Sequence, residues 1–160
     1  MGAGNTNPDY ARLVADADVL AADLLVGGAS RSVLDIVRAH SWLELLATEP
    51  LLADAAAVIG TLVDTGLAAE WREVIDELVT TVEQPPADHP ALAAAYRGEA
   101  MHVLSLDDRL GSAEAGANLR AAMDVSVRTP DAFLAVFDPE TAYEATFETS
   151  YPGPDRDPRA

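Results

Sequence analysis

The sequence predicts an α/β fold: a three-layer α/β/α sandwich around a central, mainly parallel sheet of four to five strands. Three observations carry this. Short apolar runs alternate with longer stretches of helical periodicity, the pattern of successive β-α-β units. The short runs are apolar almost throughout, as strands covered on both faces must be. A chain of 160 residues with 49% apolar content can also bury one proper core.

Taken in order, the first strand is Arg12-Leu13-Val14-Ala15, which ends at Asp16. A helix over 18–26 follows and is stopped by Gly27-Gly28. Ser30 or Ser32 can cap the next helix, 31–39, with Val33, Leu34, Ile36 and Val37 facing inward. Residues 42–47 read as the second strand, and Thr48 caps a helix over 50–64. Leu67, Trp71, Val74, Ile75, Leu78, Val79 and Val82 share one buried helical stripe and predict a helix over 67–82. Gln84-Pro85-Pro86 is a loop, and a short Ala-rich helix spans 90–97. The third strand, 100–106, ends at Asp107. After a helix over 112–122 come a short strand over 125–128, a helix over 130–137 opened by Thr129-Pro130, and one more short helix starting at Asp138-Pro139. The sequence divides into a flexible N-terminus (1–9), one domain (10–147) and a Pro-rich tail (148–160) read as disordered.

Composition narrows the function classes. With no cysteine, disulfides, thiolate zinc sites and cysteine nucleophiles are excluded. The three histidines are scattered without metal spacing. No apolar run is long enough to span a bilayer, and Met1–Asn7 lacks a secretory pattern, so a cytoplasmic protein with no membrane partner is expected. There are 27 acidic and 10 basic residues, net −17, and every basic residue is arginine. This Ala-rich, lysine-free, acidic composition resembles proteins of extreme halophiles. At molar salt the Debye length is about 3 Å, so charge then reports the solvent more than the ligand. There is no G-K-[ST], no G-x-G-x-x-G after a strand and no G-x-S-x-G, which removes P-loop, dinucleotide and serine-hydrolase readings. A phospho-acceptor receiver-like domain would need a lysine near its aspartates, and the chain has none.

In an open parallel sheet, ligands bind beyond the carboxyl ends of the strands. That rule selects Asp16 after the first strand and Asp107 after the third. Asp88 precedes the helix leading into the third strand, and Asp54 lies inside the helix after the second. Converging carboxylates repel one another, and a hard cation such as Mg²⁺ or Mn²⁺ relieves the conflict. Such an ion generates a hydroxide and stabilises in-line phosphoryl transfer. Asp18, Ser105 and Asp108 are secondary candidates. Plainer roles stand beside these: helix caps for Asp16 and Asp88, a turn for Asp107, exposed surface for Asp54, Asp18 and Asp108, and an ordinary strand serine for Ser105.

The order of these features resembles the PIN-domain nucleases. The resemblance runs through Asp16-Ala17-Asp18-Val19-Leu20, Asp54, the stretch from Asp88 to Ala95, and Ser105-Leu106-Asp107. It closes on Val125-Ser126-Val127-Arg128-Thr129-Pro130-Asp131-Ala132-Phe133-Leu134 and covers residues 10–137. It implies a Mg²⁺- or Mn²⁺-dependent endoribonuclease, with Asp16, Asp54, Asp88 and Asp107 as catalytic metal ligands. The implied substrate is single-stranded or structured RNA. A toxin paired with an antitoxin, or with another protein partner, and a homodimer also fit. The alternative is a degenerate, non-catalytic PIN-like interaction or nucleic-acid-binding module, since the family usually has glutamate where Asp54 stands.

Overall fold

The computed structural model describes residues 9–83, 91, 95, 100–106 and 126–156. Within them lie five strands: β1 (Asp9–Ala15), β2 (Glu44–Ala47), β3 (Val79–Thr81), β4 (Ala100–Leu104) and β5 (Ser126–Arg128). Six helices are described: α1 (Ala17–Leu25), α2 (Gly28–Ala39), α3 (Glu49–Leu62), α4 (Thr65–Leu78), α5 (Pro130–Val136) and α6 (Pro139–Phe147). The strands form one sheet in the order β3-β2-β1-β4-β5, and every neighbouring pair is parallel. This is the α/β/α sandwich the sequence predicts.

β1 is central, and its second half, Leu13-Val14-Ala15, is apolar throughout and covered from both flanks. Leu13, Val14 and Ala15 are inaccessible to solvent, as are Leu45 and Leu46 beside them and Val103 and Leu104 on the other side. α1 packs against α3 and α3 against α4, while α2 packs against α1 and α5, and α6 lies by β1. The chain steps outward from β1 to β2 to β3, then returns to the opposite flank of β1 for β4 and β5. The order therefore reverses between β1 and β4, the position beyond whose carboxyl ends open sheets of this kind bind ligands.

Several boundaries differ from the sequence expectation for local reasons. The helix read over 67–82 stops at Leu78, and Val79-Thr80-Thr81 becomes the edge strand β3. Val79 and Val82 continue the helical spacing, but the run Val79-Thr80-Thr81-Val82 is wholly β-branched, and such side chains favour an extended backbone. Val74, read as part of the buried stripe, is 70% exposed. α2 begins three residues earlier than predicted. Its N-cap is Gly27, whose φ of 86° suits glycine, and Ser30 is buried within the helix instead of capping it. β1 extends back to Asp9, with an irregularity in its pairing to β4 between Asp9 and Leu13. Thr48 caps α3 as expected, its hydroxyl accepting from Leu51 N–H at 3.3 Å. Ala91 and Ala95 are helical and buried; the predicted helix over 112–122 lies outside the described residues.

Residues 148–156, read from sequence as the start of a disordered tail, pack against the end of α2. Asp155 N–H and Arg156 N–H both donate to Ala39 C=O, and the Arg156 guanidinium donates to Val37 and His40 C=O. The Ala39 carbonyl is one that a helix C-terminus leaves unmet, and those of Val37 and His40 gain a second donor beside His40 N–H and Leu43 N–H. Asp155 accepts from the backbone and hydroxyl of Ser41. Tyr151 bonds the buried His40, and His40, Trp42, Tyr143, Phe147 and Tyr151 form one aromatic cluster. Among the described residues no helix is long and apolar enough to cross a membrane.

Candidate active site

β1 ends at Ala15, and its direction delivers Asp16 to the switch point beside β4. Asp16 N–H donates to Leu104 C=O at 2.8 Å, continuing the ladder one residue past the strand. The side chain is 7% exposed and held at both oxygens. Oδ1 accepts from Ala17 N–H at 2.8 Å, so Asp16 is the N-cap of α1. Oδ2 accepts from the hydroxyl of the equally buried Ser105 at 2.9 Å. The cap and the strand-exit roles thus coincide in one residue.

Asp18 stands in the first turn of α1, where negative charge is favoured. Its Oδ2 accepts from Leu106 N–H at 3.2 Å. Two carboxylates at the start of α1 therefore reach two consecutive residues at the exit of β4. Ser105 N–H in turn donates to Arg128 C=O at 3.0 Å, which ties β5 to the same edge. Every donor atom here is oxygen, the set that hard divalent cations prefer.

The two aspartates line one end of a groove of about 400 Å³ between α1 and α3. Its walls are apolar: Ala21, Ala22 and Leu25 from α1 and Val26 at its C-cap, with Val58 and Leu62 from α3. Val26 is 79% exposed and Leu62 is 68% exposed, so the groove is open. The sequence reading missed these walls, although Val58 and Leu62 lie four apart, one above the other on a helix.

The other candidates fare differently. Asp54 is exposed on α3, one turn before Val58, and is not among the residues lining the groove. Asp88, Asp107 and Asp108 lie outside the described residues. Among the described residues no three His, Cys, Asp or Glu side chains gather closely enough to hold a metal ion. The structure thus brings together Asp16, Asp18 and Ser105, and leaves Asp54 apart from them.

Behind this site α1 is braced by ion pairs. Asp23 is buried and takes both terminal nitrogens of Arg38 from α2, at 2.6 and 3.0 Å. Arg31 donates to the carbonyls of Asp23 and Leu24, satisfying the end of α1.

Compared with known families, residues 7–159 match a model described as "Family of unknown function (DUF7384)". Neither the curated proteins nor the solved structures give a match.

Proposed function

We propose that this chain, which belongs to the family of unknown function DUF7384, is a metal-dependent phosphodiesterase acting on RNA, with its centre at Asp16. The observation that carries the reading is the pair of carboxylates bonded across the switch point: Asp16 to Ser105 and Asp18 to Leu106. Ligands of open α/β sheets bind at this position.

Asp16 and Asp18 would hold a Mg²⁺ or Mn²⁺ ion, and Asp107, next in sequence after Leu106, is one of the further carboxylates, with Asp54 and Asp88, that the resemblance assigns. When bound, the ion supplies a water-derived nucleophile and offsets charge on the phosphate. The chain's own residues orient and constrain. Ser105 donates a hydrogen bond that fixes the rotamer of Asp16. Ala17 N–H holds the other carboxylate oxygen in place. Burial of Asp16 keeps bulk water from competing for its oxygens.

The test is cleavage of a fluorophore–quencher single-stranded RNA with Mn²⁺ or Mg²⁺ at low and molar salt. Cleavage should need the divalent ion, and Asp16→Asn should lower it by at least about a hundredfold, the range for loss of a group acting in the transition state. Equal cleavage by both proteins would overturn the reading. The exposure of Asp54 on α3 favours a second reading, a non-catalytic relative that keeps the shell of the site. No cleavage, together with no calorimetric heat of Mn²⁺ binding that Asp16→Asn removes, would select it.

A further inference from the structure

A second cavity, of about 450 Å³, lies between the β4–β5 edge and the α5–α6 corner. His102 and Ser126 are register partners in the parallel ladder, so their side chains leave the sheet on one face. Arg128 is two residues after Ser126 and emerges on that face too. Phe137 and Ala142 close the opposite wall, and Asp138 and Thr141 stand at the cavity as well.

Two features of this cavity lack a counterpart. The first is Arg128. Arg12, Arg31, Arg38, Arg72 and Arg156 all bond carboxylates or carbonyls. Of the described arginines, Arg128 alone has a guanidinium with no hydrogen bond or ion pair to a described residue. In a chain with 27 acidic residues, a half-buried guanidinium without a carboxylate is informative. The second is His102. Its ring packs edge-on against Phe133 and Phe137, with centroids 5.2 and 5.7 Å away. Its Nδ1 is buried with no hydrogen-bond partner among the described residues. Buried polar atoms are normally partnered, so an unmet one in a cavity wall marks a place where something binds.

We propose that this cavity is a binding site for a small organic carboxylate with an aromatic or branched apolar body. Arg128 takes the carboxylate through its planar fork of donors, and the hydroxyl of Ser126 lies on the same face to add to it. Met101, Val136 and Phe137 supply apolar surface for the body. The charge count favours a monoanion. Arg128 is the single formal cation among the described residues of the wall, and Asp138 opposes a second negative charge. His102 is kept neutral, its pKa pushed down to about 4 by burial and by the charge of Arg128. The site is distinct from the α1–α3 groove and does not depend on nuclease activity.

The experiment is a titration of the full chain with phenylacetate, followed by calorimetry and by the His102 imidazole signals in NMR. Benzyl alcohol and inorganic phosphate serve as the uncharged and the non-carboxylate controls. Phenylacetate should bind, move the His102 signals and raise the pH at which this ring titrates, because the carboxylate offsets the charge of Arg128. Arg128→Gln should weaken binding by at least about tenfold, the usual effect of losing a charge-assisted pair. Ala145→Leu, at an exposed position in the cavity lining, should weaken it while the circular dichroism spectrum is unchanged. Absence of binding, equal binding by Arg128→Gln, or tighter binding of benzyl alcohol or phosphate than of phenylacetate would each overturn the proposal.

Discussion

Asp16 does two jobs with one carboxylate. One oxygen ends the α1 backbone and the other meets Ser105 across the switch point. Ser105→Ala should therefore cost stability even without any ligand, by about 1–2 kcal/mol for a lost buried hydrogen bond, read from urea unfolding. It should reduce RNA cleavage far less than Asp16→Asn does, since it removes orientation and leaves the carboxylate. His102 gives a second prediction at this scale. Its folded pKa of about 4 lies below the ordinary 6.5, so the unfolded chain takes up this proton first as pH falls. The stability that the neutral ring contributes is whole above pH 6.5 and is lost as pH drops toward 4, by roughly 3 kcal/mol at most. His102→Phe should remove that part of the slope between these pH values, as followed by thermal melts.

At the scale of elements, the structure rests on how helix ends are closed. α2 ends in carbonyls satisfied from the segment 151–156, and His40 is the hinge of that arrangement. Its Nδ1 lies 2.7 Å from Ile36 C=O, which can only accept. Nδ1 therefore carries the proton, and Nε2 accepts from the Tyr151 hydroxyl at 2.6 Å. Tyr151→Phe leaves that nitrogen buried and unmet, and should lower the unfolding free energy by about 1–3 kcal/mol in urea titration. Little of this was legible in sequence. Residues 148–156 are rich in Pro, Gly and charge and have no period, and their partners are backbone carbonyls, which no side-chain pattern reveals. The strands were readable because Leu13-Val14 and Val103-Leu104 are continuously apolar. β3 was not, because three residues carry too few alternations to outvote a helical stripe. Asp16 was found by the strand-exit rule, whereas Ser105 stood only as a secondary candidate, inside a strand read as 100–106. Asp18 ranked lower because contact with Leu106 N–H depends on tertiary register.

At the scale of the molecule, the dominant fact is a net charge of −17 on 160 residues. Mutual repulsion among surface carboxylates opposes the compact state, and added salt screens it. The melting temperature should rise between 0.1 and 2 M KCl, in orders of magnitude where the Debye length falls from about 10 Å to below about 3 Å. A flat or falling curve would show that local pairs such as Arg72 with Glu49 and Asp76 already neutralise the repulsion. The α/β class and the parallel sheet were visible in the alternation of runs. The groove walls were not, because Val26, Val58 and Leu62 sit on two helices whose packing no linear pattern displays.

The bond from Ser105 to Asp16 joins residues 89 positions apart. During synthesis on the ribosome, the emerging segment β1-α1-α2-β2 can pair its own strands long before β4 exists. Through that interval β1 is an edge strand, and Asp16 has no Ser105 beside it. The nascent chain thus carries the carboxylate without its setting.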